Sequence, residues 1–148
     1  DTGIFVLVKT SNPSSGELQD KTLDDQTLYR TMGDLCEHWG QQLPGQCGYS
    51  GVGAVVGATY PAQLTELRAA LPHTYFLVPG YGAQGGSAAD VAGAFDQNGR
   101  GAIINASRSI MCAWQKEGCP PEDFAGAARR EALRMKEDLQ RILSISTM

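Results

Sequence analysis

Hydrophobic positions along this chain are concentrated in four short runs that contain few polar residues. Within each run the apolar residues are nearly continuous and do not alternate with polar ones. A strand with one solvated face would alternate, whereas a strand covered on both faces in a parallel sheet would not. We therefore predict four buried parallel strands, at 3–9, 51–57, 74–80 and 102–107.

The segments between these runs carry apolar residues at helical spacing, which predicts helices at 22–43, 61–71, 87–95 and 120–145. Asp24 and Asp25 lie near the start of the first helix, where acidic residues are favourable. Thr59 and Ser87 are candidate N-caps of the second and third helices. The prolines and acidic residues at 120–123 favour the first turn of the last helix.

Strands and helices alternate, which requires right-handed crossovers between parallel strands. Two α/β architectures fit this order. One is a four-stranded doubly wound sheet, and the other is half of a (β/α)8 barrel, whose complete chain has about 250 residues. The 148 residues suit a single domain. Because the chain begins at Asp1 and enters an apolar run almost at once, we expect a fragment or a processed product.

Composition excludes several classes of partner. The net charge is −4 and no Lys/Arg-rich run occurs, so we do not expect a nucleic acid partner. No apolar stretch approaches the roughly 18 residues of a membrane span, and no signal segment opens the chain. The four cysteines form no C-x-x-C pair and lie apart from both histidines. We therefore predict no metal site, and reduced thiols in a cytoplasmic protein.

Candidate chemistry follows the strands, because ligands bind at the carboxyl ends of parallel strands. The segment 80–86 after the third run is rich in glycine and leads into a helix, so its backbone N–H groups can approach an anion. Arg108 follows the fourth run, and its guanidinium fork matches phosphate oxygens. Together they predict a phosphate site, although Arg108 alone could equally form a surface salt bridge.

The run 80–85 also matches the dinucleotide pattern G-x-G-x-x-G. That pattern requires an acidic residue about 20 positions later, at the end of the next strand. The next strand ends instead in Asn105, Ala106, Ser107 and Arg108, and the motif lies in the third βα unit rather than the first. We therefore do not predict a nicotinamide cofactor.

Polar residues elsewhere allow more than one interpretation. Thr10, Ser11 and Asn12 follow the first strand, where they could hydrogen-bond a polar heterocycle or form a loop-and-cap cluster. The acids at 20–25 lie in a linker and a helix start. We interpret them as solvated residues, not as an acid/base cluster.

Four motifs at these strand ends resemble the fifth to eighth strands of orotidine 5′-phosphate decarboxylases. The motifs are V-K-T-S-N-P at 8–13, V-G-A-T-Y-P at 56–61, F-L-V-P-G-Y-G-A-Q-G-G at 76–86 and I-N-A-S-R-S-I at 104–110. Their order and spacing agree across essentially the whole chain. The P-G-x-G-A-Q-G-G portion is the most specific, and the N-A-S-R ending resembles the longer bacterial subgroup.

This resemblance implies a (β/α)8 barrel of which residues 1–148 form the C-terminal half, with the N-terminal half absent. It implies a lyase of pyrimidine biosynthesis that converts orotidine 5′-monophosphate to uridine 5′-monophosphate and CO2 without a cofactor. A cytoplasmic homodimer is implied as well. By position, Ser11 would hydrogen-bond the pyrimidine ring and Pro79 would line the ring pocket. Gln84 would close over the substrate from the phosphate loop, and Arg108 would hold the 5′-phosphate.

One part of the family pattern is missing. The family carries D-x-K-x-x-D near the end of its third strand, and this sequence has no such pattern on any strand. The catalytic lysine and aspartates would therefore lie in the other half, so we assign no catalytic residue here and expect the chain alone to be inactive. Two alternatives remain at this point: another phosphate-binding barrel enzyme, and a stand-alone flavodoxin-like binding module.

Overall fold

The computed structural model describes residues 2–82 and 84–146. All four predicted strands are present, with slightly shorter bounds. They are β1 (Ile4–Lys9), β4 (Val52–Val56), β5 (Phe76–Pro79) and β6 (Ala102–Asn105), and the short strands β2 (Thr22–Leu23) and β3 (Gln26–Thr27) lie between the first two. The long strands form one parallel sheet, and β2 and β3 form a separate antiparallel hairpin.

The order of the strands decides between the two predicted architectures. In the sheet the order is β1-β4-β5-β6, so each strand pairs with the next long strand along the chain. A doubly wound sheet reverses its order at a switch point, whereas successive strands of a (β/α)8 barrel lie side by side. The observed order is that of a barrel arc, which argues against the flavodoxin-like module.

Six helices accompany the strands in the described part of the chain. They are α1 (Leu28–Gly40), α2 (Pro61–Ala70), α3 (Ala88–Val91), α4 (Ser107–Met111), α5 (Ala113–Glu117) and α6 (Phe124–Ser146). Helices were predicted in the regions of α1, α2, α3 and α6, but α4 and α5 were not. None of the helices in the described ranges is long and apolar enough to cross a membrane.

The predicted start of the first helix was wrong. The segment 22–27 is the β2–β3 hairpin, and α1 begins only at Leu28. Asp24 and Asp25 form the two-residue turn of this hairpin, with φ angles of 50° and 65°. A turn with two consecutive positive φ angles suits a tight hairpin, and aspartate tolerates that conformation better than most residues. These acids therefore do not open a helix.

Three other helix starts also bear on the site. Ser87 is the N-cap of α3 as predicted, in a reciprocal capping box with Asp90. Thr59 is not the N-cap of α2, because its hydroxyl donates to the Ser11 carbonyl oxygen at 3.4 Å and Tyr60 occupies the cap position. Strand β6 ends at Asn105, so Arg108 lies in the first turn of α4 rather than at the strand tip.

Only one face of the sheet is fully covered in the described chain. Val8, Val56, Phe76 and Val78 are buried together with Leu64 and Leu67 of α2. On the other face, Leu7 is 58% exposed and Ile103 is 50% exposed. The prediction of burial on both faces is therefore wrong for this chain by itself. A closed barrel fills its interior with side chains from strands all round, so half of its strands leave that interior open.

A buried arginine connects α2 to the sheet at the amino ends of the strands, opposite to the pocket side. Arg68 of α2 is 8% exposed and donates hydrogen bonds to the carbonyl oxygens of Leu71, Thr74 and Gly101. Its guanidinium carbon lies 4.3 Å from the centroid of the Phe76 ring, and burial lowers the pKa of the group. These contacts tie α2 to the segments that lead into β5 and β6.

Candidate functional site

A small pocket of about 100 Å3 opens at the carboxyl ends of β5 and β6. Its lining comes from the end of each strand and from the loop or helix that follows. The lining residues are Pro79, Gly80, Tyr81, Gln84, Asn105, Ala106, Ser107 and Arg108. Three of the four predicted site residues, Pro79, Gln84 and Arg108, therefore face one cavity.

The fourth predicted residue, Ser11, lies directly beside this pocket. Its hydroxyl donates to the Pro79 carbonyl oxygen at 3.2 Å. A Cβ atom added to Gly80 would lie 2.7 Å from the Ser11 hydroxyl oxygen and 2.8 Å from Gln84 Oε1. Both distances are too short for real carbon contacts, and Gly80 also has a φ of 100°. Glycine at this position is what lets the Ser11 and Gln84 side chains approach the same point.

The glycine-rich loop closes on itself through its own backbone. Gly82 N–H donates to the Gly86 carbonyl oxygen at 2.7 Å, and Gly86 N–H donates to that of Gly80 at 3.2 Å. Gly82 and Gly85 have positive φ angles of 72° and 96°, a region that favours glycine. The loop is therefore a compact turn whose exposed tip carries Gln84.

The base of this loop is fastened to the last helix. Tyr81 is 5% exposed, and its hydroxyl donates to Asp138 of α6 at 3.4 Å. Burial raises the pKa of Tyr81 above its ordinary value. Asp138 also accepts a hydrogen bond from Arg134 at 3.0 Å. The loop thus has a fixed base and an exposed tip.

Arg108 lines the pocket from α4 and is exposed. Within residues 2–82 and 84–146, no carboxylate forms an ion pair with its guanidinium. The other interpretation of Arg108, a surface salt bridge, therefore has no partner in the described chain. An exposed and uncompensated guanidinium at a pocket mouth is suited to binding an anion.

Asn105 belongs to the pocket and was not singled out from the sequence. It pairs in register with Pro79, and its Oδ1 atom is buried without a hydrogen-bond partner. An unsatisfied buried acceptor costs about 1–3 kcal/mol, and at this pocket a donor from a bound ligand would satisfy it. The sequence feature that could have indicated Asn105 is its position as a polar residue at the end of an apolar run.

The interpretation of Asp20 as a solvated linker residue is corrected by its contact with Lys9. Lys9, the last residue of β1, is fully buried, and its Nζ lies 2.7 Å from Asp20 Oδ1. Asp20 is therefore not a purely solvated linker residue, although its side chain is 44% exposed. The described residues contain no group of three or more His, Cys, Asp or Glu side chains arranged to hold a metal ion.

Two curated relatives with the same name match most of this chain. The chain is 49% identical over 142 residues to an orotidine 5′-phosphate decarboxylase from Rhodopirellula baltica, covering 93% of this chain and 47% of the relative. It is 43% identical over 141 residues to the enzyme of that name from Clostridium botulinum, covering 95% of this chain and 49% of the relative. No family model matches the chain.

A solved structure agrees with these sequence relatives. The structure of Leishmania donovani OMP decarboxylase superimposes with a TM-score of 0.71 at 34% identity, covering 97% of this chain and 49% of that one. The chain thus spans about half the length of the relatives it matches. The predicted resemblance is confirmed over this length, and so is the fold as an α/β half-barrel.

Proposed function

We propose that this chain is the half of an orotidine 5′-phosphate decarboxylase that binds the phosphate and the pyrimidine ring of orotidine 5′-monophosphate. The observation that carries the proposal is one pocket lined by Pro79, Gln84 and Arg108, with Ser11 bonded to its wall at the Pro79 carbonyl oxygen. We take the chain to be the C-terminal half, residues 1–148. A homodimer and a cytoplasmic location belong to the same proposal and rest on the resemblance.

The phosphate would bind between the glycine-rich loop and α4. Arg108 offers a planar fork of donors without a competing carboxylate in the described chain, and charge-assisted bonds of this kind are among the strongest hydrogen bonds in proteins. The loop has no side chain at Gly80, Gly82, Gly85 and Gly86, so an anion can approach it closely. The N–H groups of Gly82, Gly85 and Gly86 bond within the loop, so Arg108 would be the main donor to the phosphate. Gln84, at the exposed tip, would fold over the bound nucleotide.

The pyrimidine ring would lie on the Ser11 side of the pocket. A serine hydroxyl can donate one hydrogen bond and accept others, so Ser11 can exchange its bond to the Pro79 carbonyl oxygen for one to the ring. Pro79 would supply an apolar wall. Asn105, with its unpartnered Oδ1 atom, would accept a hydrogen bond from the sugar or the pyrimidine ring.

In the proposed reaction the bond between C6 of the pyrimidine and its carboxylate breaks, and CO2 leaves without the bonding electrons. The carbanion that remains at C6 takes a proton. In this proposal the proton donor and the charged groups come from the other half of the barrel. This chain contributes binding energy far from C6, which can be spent on orientation and loop closure.

Ligand selectivity tests the proposal against another phosphate-binding barrel enzyme. For this test we define the reconstituted barrel as this chain mixed with the unmatched half of the Rhodopirellula baltica relative. We expect uridine 5′-monophosphate to bind at least about tenfold more tightly than ribose 5-phosphate, because only the nucleotide reaches Ser11. Titration calorimetry measures both affinities. Equal affinities would favour the other kind of barrel enzyme.

Gln84→Ala should reduce turnover while leaving the fold intact. Gln84 is exposed on a loop whose base is anchored elsewhere, so its removal leaves no cavity. If Gln84 donates one hydrogen bond to the charged nucleotide, its loss predicts a decrease of roughly 10- to 150-fold in kcat/KM for orotidine 5′-monophosphate in the reconstituted barrel. Gln42→Ala, also an exposed glutamine, is the control. A clearly lower unfolding temperature for Gln84→Ala would instead assign Gln84 a structural role.

A further inference from the structure

The buried lysine at the end of β1 makes none of the ligand contacts in the proposed function. Lys9 has no exposed surface, and its Nζ is held by Asp20 Oδ1 at 2.7 Å. The same atom lies 4.4 Å from the centroid of the Tyr60 ring and 5.7 Å from that of Tyr29. The ammonium group is therefore enclosed between a carboxylate and two aromatic faces. It does not line the pocket, yet it stands two residues before Ser11.

An irregularity in the strand brings Lys9 into this position. Leu7 pairs with Val55 and Lys9 pairs with Val56, so Val8 is an extra residue in β1. Such bulges bend a strand and redirect the side chains that follow. Val8 and Lys9 are both buried as a result. The Lys9 carbonyl oxygen accepts a bond from Gly57 N–H at 2.7 Å, which fixes the backbone where the strand ends.

The groups around the ammonium also hold the segment that carries Ser11. The Tyr60 hydroxyl donates to the Asn12 carbonyl oxygen at 3.2 Å, and the Ser15 hydroxyl donates to Tyr60 at 3.2 Å. Gln19, the neighbour of Asp20, accepts a bond from Thr10 N–H at 3.0 Å through Oε1. The chain before and after Ser11 is thus tied to residues that surround Lys9.

Stability alone gives little reason for this arrangement. Burying the Lys9 ammonium group removes its hydration, and attraction to the partly exposed Asp20 offsets that cost only in part. A buried charge can instead select one conformation among several, because only one arrangement pairs it. In this protein the residues near the buried charge also hold the segment next to the pocket.

We propose that Lys9 is a positioning residue, whose enclosed ammonium group fixes the segment bearing Ser11 against the pocket. The inference rests on the proposed function, because it requires Ser11 to contact the pyrimidine ring. Lys9 touches no substrate atom in this scheme. Its effect on binding passes through Ser11 and is therefore confined to ligands that have a pyrimidine ring.

The test compares two ligands and two double mutants in the reconstituted barrel. Lys9→Met keeps most of the length and removes the charge, and Ser11→Ala removes the contact to the pyrimidine ring. Each should weaken uridine 5′-monophosphate binding by about fivefold, the value of one ordinary hydrogen bond, and should leave ribose 5-phosphate binding unchanged. The double variant Lys9→Met/Ser11→Ala should lose no more affinity for uridine 5′-monophosphate than either single variant. The double variant Lys9→Met/Arg108→Ala should lose affinity by the product of the two single factors.

Further variants separate positioning from a general loss of structure. Lys9→Arg keeps the cation and should retain most of the affinity. Asp20→Asn removes the ion pair at a side chain that is 44% exposed, so it leaves no cavity and should reproduce the ring-selective loss if Lys9→Met fails to fold. The inference would be overturned if Lys9→Met weakened the binding of both ligands equally. It would also be overturned if the affinity losses of Lys9→Met and Ser11→Ala multiplied in the double variant. If Ser11→Ala itself has no effect, the proposed ring contact falls and the inference falls with it.

Discussion

The 148-residue chain alone should not decarboxylate orotidine 5′-monophosphate, and turnover should appear when the other half of the barrel is supplied. In the described residues, the lysine at a strand end is Lys9, which is buried and paired with Asp20. It cannot reach a ligand in the pocket without breaking that pair. In the proposed function, the groups for protonation and charge stabilisation at C6 therefore come from the other half of the barrel.

The experiment adds the unmatched half of the Rhodopirellula baltica relative to this chain and follows the loss of orotidine 5′-monophosphate. Each half alone should show no turnover above the uncatalysed rate. The mixture should accelerate the reaction by about a millionfold or more, the lower end of ordinary enzymes. Turnover by the pure, mass-verified chain would contradict the assignment of the chemistry to the other half.

The exposed face of the sheet allows a test of how the two halves assemble, with a matched control. Leu7 and Ile103 are exposed on the two edge strands of the described sheet, and unpaired apolar edges recruit another strand or aggregate. We expect the chain alone to self-associate at micromolar concentration in sedimentation velocity. Leu7→Lys should weaken both self-association and reconstitution. Leu18→Lys, at an exposed leucine outside the sheet, should change neither.

Arg108→Ala should weaken the binding of uridine 5′-monophosphate far more than that of uridine. A charge-assisted contact to phosphate is worth about 1.5–3 kcal/mol, which corresponds to roughly 10- to 150-fold in affinity. Uridine lacks the phosphate, so its affinity should change by less than about twofold. Titration calorimetry on the reconstituted barrel measures both.

Two further variants sharpen this result. Arg108→Lys keeps the charge but loses the planar fork, and should give an intermediate affinity for the nucleotide. Arg129→Ala removes another exposed arginine, on α6, and should leave both affinities unchanged. Equal losses for nucleotide and nucleoside with Arg108→Ala would show that Arg108 does not contact the phosphate.

The parts of the molecule that were predictable depend on local sequence. The four strands follow from short apolar runs, and the loop at 80–86 follows from its glycines. The hairpin at 22–27 was missed because Asp24 and Asp25 suit a helix start as well as a turn, and only the pairing of β2 with β3 distinguishes the two.

The parts that were missed depend on residues distant in the chain. Nothing next to Lys9 marks it as buried, because its partners are Asp20 and Tyr60 and its position depends on a bulge against β4. The prediction of strands covered on both faces assumed neighbours that this chain does not contain. The unpartnered oxygen of Asn105 likewise becomes visible only once β5 and β6 lie side by side.

Arg68 has a consequence for engineering. Its hydrogen bonds to Leu71, Thr74 and Gly101 join the strands at the rim opposite to the pocket. None of these residues lines the pocket at Pro79–Arg108. A directed-evolution library confined to position 84 and to 107–109 would therefore vary ligand preference without disturbing the hydrogen bonds of Arg68. A selection for thermostability, in contrast, should begin at the opposite rim, around Arg68.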